Sequence, residues 1–177
     1  MLDSPVPAYV DTRKIFQQQV TIKGSIGLER LNRFQQILAS DKGWIEVELR
    51  FSLDSSRRRV VEGHLQAQVQ VYCQRCLEPL AIELCDDIRL ALLKDEAGSK
   101  DLDDSLDPWI CEDHKLDLVC LVEEQLILCM PIANYHASRD CSERLNYSRP
   151  AGASLDNEQD RRKENPFSIL NSLKEND

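Results

Sequence analysis

Two cysteines separated by two residues, Cys73 and Cys76 in VYCQRCLEPL, have the spacing that most directly suggests chemistry. Thiolates so placed can chelate a metal from one tight turn, cycle a disulfide, or fill a hairpin as small apolar side chains. Zinc takes four ligands, usually supplied as two close pairs of thiolate and imidazole. A second pair is available in NYHASRDC, where His136 and Cys141 bracket four residues. Cys73, Cys76, His136 and Cys141 would then form a closed structural site, because four protein ligands leave no coordination position open. A redox CxxC should open a helix in a parallel βαβ unit, whereas this one follows one strand pattern and precedes another. From spacing alone, zinc and a metal-free hairpin stand as equal alternatives and a redox pair as the weakest. Cys85, Cys120 and Cys129 sit in apolar stripes and read as small buried hydrophobes.

The elements that must position these residues are visible as periodicities. Residues 10–26 read as an early strand. Leu28, Leu31, Phe34 and Leu38 recur at helical spacing and predict one amphipathic helix, with Gly43 at its end. From Trp44 the period is two: Ile45, Val47, Leu49 and Phe51 alternate with Glu46, Glu48 and Arg50. After the turn DSSRRR the alternation resumes over 61–73, which puts Cys73 on the apolar side with Val71. A return strand runs from Leu80 to about residue 93, antiparallel by the simplest connection. The acidic stretch 94–109 reads as an exposed loop, and 109–111 as a short edge strand. Asp117 can cap a second helix over 118–130, apolar on most sides, ended by Pro131 and expected to be deeply buried. The fold class is therefore α+β: a twisted antiparallel sheet, partly closed as a barrel, packed on two main helices. One globular domain over 1–141, a flexible polar linker over 142–164 and a C-terminal docking segment over 165–177 complete the organisation.

Composition restricts the function classes. The 177 residues are 42% hydrophobic and 30% charged, as in a soluble protein, and lack the pattern of a secretory signal. The longest apolar candidate, 116–132, is interrupted by Glu123, Glu124 and Gln125, so no membrane span is expected. A cytoplasmic location with reduced cysteines follows as an expectation. The net charge of −9 disfavours coating of nucleic acid, which needs a basic surface. Arg57, Arg58 and Arg59, joined by Arg50 and by Arg75 at the CxxC turn, make the one candidate basic strip. His64 on a polar strand face and His114 near a turn read as solvated, and the acidic pairs, Glu123-Glu124 included, as wet faces or loop tips. No nucleophile elbow, phosphate-binding glycine loop or helical pair of metal ligands occurs in the sequence.

Four stretches in order, VQVYCQRCLEPL, LDLVCLVEEQLILCMPI, HASRDC and NPFSILNSLK, resemble the YceD family, the large ribosomal RNA subunit accumulation proteins of bacteria and plastids. The resemblance covers most of the chain beyond Arg59. It implies a role in synthesis, processing or stability of large-subunit ribosomal RNA, and supplies no catalytic residue. Many bacterial relatives have a richer cysteine cluster after the helix; this chain keeps only His136 and Cys141 there, a reduced version of the pattern.

The expected function is a non-enzymatic ribosome biogenesis factor. It would act on precursor large-subunit RNA through processing or assembly proteins, with structural zinc and no small-molecule substrate. In the C-terminal segment Asn165 can cap a short helix, Pro166 suits its first turn, and Phe167, Leu170 and Leu173 would anchor a partner or fold back onto the domain. The alternatives are direct RNA binding by the arginine strip, a metal-assisted RNA-processing enzyme, and a redox-responsive regulator using Cys73 and Cys76.

Overall fold

The structure, a computed structural model, describes residues 4–138 and Cys141. The C-terminal docking residues Asn165, Pro166, Phe167, Leu170 and Leu173, and the linker before them, lie outside the described residues.

The alternating segments form three long strands: β3 (Trp44–Leu53), β4 (Arg59–Tyr72) and β5 (Pro79–Leu93). They pair antiparallel, β3 to β4 and β4 to β5, with His64 opposite Glu48 on one side and Asp87 on the other. The earlier β2 (Thr21–Ser25) pairs with β3, and β6 (Asp107–Ile110) runs parallel to Leu90–Leu93 of β5. The order β2-β3-β4-β5-β6 leaves β2 and β6 unpaired with each other. The expected partial barrel is therefore corrected: the sheet is open. A separate ribbon joins β1 (Tyr9–Asp11) to β7 (Lys115–Asp117).

The inner face of the sheet carries Ile45, Val47, Leu49, Phe51, Leu65, Ala67, Val69 and Val71, all buried. Phe16 meets Phe51 edge to face at 5.4 Å, and Leu118, Leu121, Val122 and Leu126 close the core from above. Each of these aliphatic side chains contributes roughly 1.5–3 kcal/mol by leaving water.

Those last four belong to α3 (Leu118–Cys129), and the Asp117 carboxylate accepts from the Cys120 amide at 2.9 Å, the cap the sequence predicts. The expected deep burial holds for Leu118, Leu121, Val122 and Leu126 but not for the whole helix, since Leu128 is 74% exposed and Cys120 faces solvent. One face of α3 meets the sheet, and Val119, Ile127 and Cys129 pack partly buried against the same core.

Two other expectations fail for local reasons. Residues 10–26 are not one strand: the Asp11 side chain accepts from the Arg13 amide and starts a single helical turn, α1 (Thr12–Ile15), between β1 and β2. The predicted helix at 28–38 is instead a 3-10 turn, Leu28–Arg30, followed by the one-turn α2 (Asn32–Gln35). Leu28, Leu31, Phe34 and Leu38 are all buried, so the apolar face was read correctly while the backbone was not. The helical turn at 32–35 takes its capping group from elsewhere in the chain. Glu123 of α3 accepts from the Arg33 and Phe34 amides at 2.8 and 3.1 Å. Glu123 is thus 8% exposed rather than on a wet face, and Glu124 pairs with the Arg33 guanidinium. Gly43 does not end a helix. It sits where the chain passes β4, and a Cβ there would lie 2.5 Å from the Gln68 carbonyl oxygen.

The acidic stretch is more structured than expected. Asp95 accepts from the Ala97 and Gly98 amides to open a 3-10 turn, Glu96–Asp101, before β6 begins. Among the described residues, α3 is the one α-helix longer than four residues, in place of the two main helices expected.

Candidate metal centre at the tip of the β4–β5 hairpin

The alternation that buries Val69 and Val71 carries on past the end of β4 and buries Cys73 completely. The chain then reverses. The Leu77 amide donates to the Cys73 carbonyl at 2.8 Å, the Cys73 amide to the Glu78 carbonyl at 2.9 Å, and Leu77 takes φ 60°. A left-handed leucine is strained backbone. Here it turns the chain sharply enough for Cys76 to point back beside Cys73, and leaves the Leu77 side chain 70% exposed.

The segment after α3 is tied to this turn by backbone and by one arginine. The Gln74 amide donates to the Asn134 carbonyl at 2.9 Å. Arg75 donates to the carbonyl oxygens of His136 and, at 3.0 Å, of Ser138, and its guanidinium lies 5.2 Å from the Tyr135 ring centre. These contacts bring His136 and Cys141 over the CxxC turn. His136 Nδ1 is 3.4 Å from Cys76 Sγ. The four ligand atoms of Cys73, Cys76, His136 and Cys141 all lie within 4.8 Å of one another. Ligands about 2.3 Å from a tetrahedral zinc would be separated by about 3.8 Å, so a slight contraction suffices to enclose an ion.

The donor set fits a borderline-soft divalent cation electrostatically as well. Burial pushes the Cys73 thiol up, but the amides of Cys76, His136 and Arg75, with the Cys76 thiol, outweigh it and hold Cys73 at about 5. Cys141 moves the other way: burial raises it, and so does donating its proton to Cys73 and Cys76. The turn itself thus lowers one thiol, and a cation would offset the burial that raises Cys141. The three cysteines form an apolar cluster separate from the main core. Arg75 Nε is buried without a hydrogen-bond partner among the described residues, a cost accepted in order to clamp the two segments.

The basic strip is divided. Arg75 lies beyond one end of β4 and Arg57, Arg58 and Arg59 at the other, roughly 40 Å apart at 3.3 Å per residue. Within the remaining group, Arg50 is paired with Glu62 and Arg58 with Asp54 at 2.6 Å. Arg59 reaches Thr12 Oγ1 at 3.4 Å and stacks 5.9 Å over Phe16.

The remaining cysteines also depart from expectation. Cys85 and Cys120 are exposed and Cys129 is half-buried. Cys85 lies on the wet alternation between Glu83 and Asp87, and Cys120 on the outer side of α3. His64, read as solvated, has both ring nitrogens engaged: Nδ1 is 2.7 Å from Asp87 Oδ1 and Nε2 is 3.6 Å from Cys85 Sγ. The period-two pattern holds the signal for this cluster, since positions 85 and 87 share a face opposite position 64.

Among the described residues no helix is long and apolar enough to cross a membrane. A family model described as "Large ribosomal RNA subunit accumulation protein YceD" matches residues 61–174, a span that begins in β4 and includes the whole Cys-Cys-His-Cys cluster. The chain is also similar to "Large ribosomal RNA subunit accumulation protein YceD" of Haemophilus influenzae. The two are 28% identical over 171 residues, with 96% of this chain and 97% of that relative covered. No solved structure matches.

Proposed function

Because the chain belongs to the YceD family, we propose that it supports accumulation of large-subunit ribosomal RNA in the cytoplasm as a non-enzymatic factor that works through a protein partner. Cys73, Cys76, His136 and Cys141 bind one structural zinc, which fixes the hairpin tip against the segment after α3. The C-terminal segment 165–177 is a docking element for that partner.

The observation that carries the protein-partner reading is the neutralisation of the arginines. Arg50 and Arg58 are ion-paired on the protein itself, and the net charge is −9. A surface of this kind gains little from counterion release on phosphates, while its acidity favours association with basic ribosomal proteins. The non-enzymatic reading rests on the ligand count: four cysteine and histidine ligands fill a tetrahedral site, so no position is left to activate water.

A second reading has one observation in its favour. Arg13, Arg57 and Arg59 border a concavity of about 560 Å³ floored by Phe16 and Leu53, which could receive a phosphate and a base. Pull-down of the full chain from cells at two salt concentrations, with and without RNase, separates the readings. Partner capture that survives RNase and tolerates replacement of Arg57, Arg58 and Arg59 is the expected result. Steep loss with salt that depends on those three arginines would establish direct RNA contact instead. Cleavage of precursor RNA by the pure protein, lost in Cys73→Ser, would overturn the non-enzymatic assignment.

A further inference from the structure

On the solvent face of the same hairpin, a second constellation is built from cross-strand neighbours. His64 of β4 stands directly opposite Asp87 of β5, and Cys85 precedes Asp87 by two on the same face. Diagonal neighbours across antiparallel strands are within reach of long side chains. The imidazole bridges the two: Nδ1 lies 2.7 Å from the Asp87 carboxylate and Nε2 lies 3.6 Å from the Cys85 sulfur. A carboxylate on one ring nitrogen fixes the tautomer that leaves the other nitrogen free to accept a proton. Cys85 is exposed, so an electrophile can approach its sulfur without any rearrangement. The strands also hold these groups in place: β4 and β5 are paired continuously from Arg59 opposite Leu92 to Tyr72 opposite Pro79. On the far side of His64, Glu48 is occupied by Lys23 at 2.7 Å, so the imidazole turns toward Asp87.

We propose that Cys85 is an activated surface thiol, with His64 as its base and Asp87 as the residue that positions His64, and that its reaction partner is a low-molecular-weight disulfide. His64 Nε2 takes the thiol proton, and the Cys85 sulfur attacks one sulfur of the disulfide. The disulfide S–S bond breaks and a mixed disulfide forms on Cys85. The other half leaves as a thiolate and recovers the proton from His64 as a free thiol. One disulfide and one thiol are consumed and one of each is produced, so no further oxidant is needed. The reaction places a substituent on the wet face of the sheet, well along the hairpin from the Cys-Cys-His-Cys cluster, and is independent of the metal.

The test uses the intact native chain and limiting iodoacetamide, with modification followed residue by residue by peptide mass spectrometry. His64→Gln should slow alkylation of Cys85 by about tenfold or more, and Asp87→Asn by about threefold, while Cys120 reacts at an unchanged rate in all three proteins. A Cys85 rate in His64→Gln within about twofold of the native rate would overturn the proposal, as it would mean a thiol of ordinary reactivity. With oxidised glutathione as the probe, the mixed disulfide should form first at Cys85 and form more slowly in His64→Gln. First formation at Cys120 would overturn the choice of reaction partner. His64 and Asp87 lie on the surface, so circular dichroism of the variants should match the native spectrum.

Discussion

One hairpin carries two cysteine sites built on opposite principles. At its tip, Cys73, Cys76 and Cys141 are buried, and backbone amides from the turn and from the segment after α3 converge on Cys73 and lower its thiol. In mid-ribbon, Cys85 is exposed and its sulfur is met by a side chain, an imidazole with a carboxylate behind it. The first arrangement encloses its sulfurs and joins distant parts of the chain, which suits a brace. The second leaves its sulfur open and links nothing distant, which suits a reaction. The position along β4 and β5 decides between them, because alternation turns residue 73 inward and residue 85 outward.

This contrast can be broken most severely at the tip. Cys76→Ser should abolish metal binding and cost about 4 kcal/mol, the stabilisation given by a ligand at a thousand times its Kd. Amide hydrogen exchange should then rise at residues 73–78 and 131–138 while β3 and the middle of β4 stay protected. Uniform loss of protection would mean that the tip and the main core are not separable.

The comparison is sharpened by a variant that weakens the core and touches neither cysteine site. Glu123→Ala removes the acceptor for the Arg33 and Phe34 amides and should cost about 1–3 kcal/mol. At about 2–4 °C per kcal/mol for a chain of this size, the melting temperature falls measurably with zinc content unchanged. Asp87→Asn, by contrast, should leave stability within about 0.5 kcal/mol of native, since its partner is on the surface.

The smallest effect concerns pH. The Arg13 side chain and amide hold Asp11 at about 2, against an ordinary 3.8. A carboxyl lowered on folding contributes stability that is complete above pH 4 and fades as pH falls through 2. Asp11→Asn should flatten acid unfolding in that window and nowhere else, as read from melting temperatures between pH 2 and 5.

The legible part of this molecule is the part where side-chain periodicity reports a face. The alternation from Trp44 onward located β3, β4 and β5 and the inward position of Cys73, and the Asp117 cap located α3. The four residues that meet at the tip were readable because thiolate and imidazole pairs are rare at such spacings. What escaped was set by contacts between distant residues. Nothing near 28–38 announces that Glu123, about ninety positions later, caps a one-turn helix there. Likewise Leu128 and Cys120 were read as buried with the rest of α3, yet both are exposed, because the sheet covers one face of the helix. The Cys85 cluster was overlooked because Cys85 read as a small buried hydrophobe and His64 as a solvated side chain, and only the strand register joins them.

The metal content of the purified full-length chain tests the central claim most directly. Elemental analysis should find one zinc per chain in the native protein and none in Cys73→Ser, with release of that zinc by a chelator loosening the hairpin tip. A native protein that contains no zinc, takes up none when it is supplied, and keeps residues 73–78 protected from exchange would contradict it.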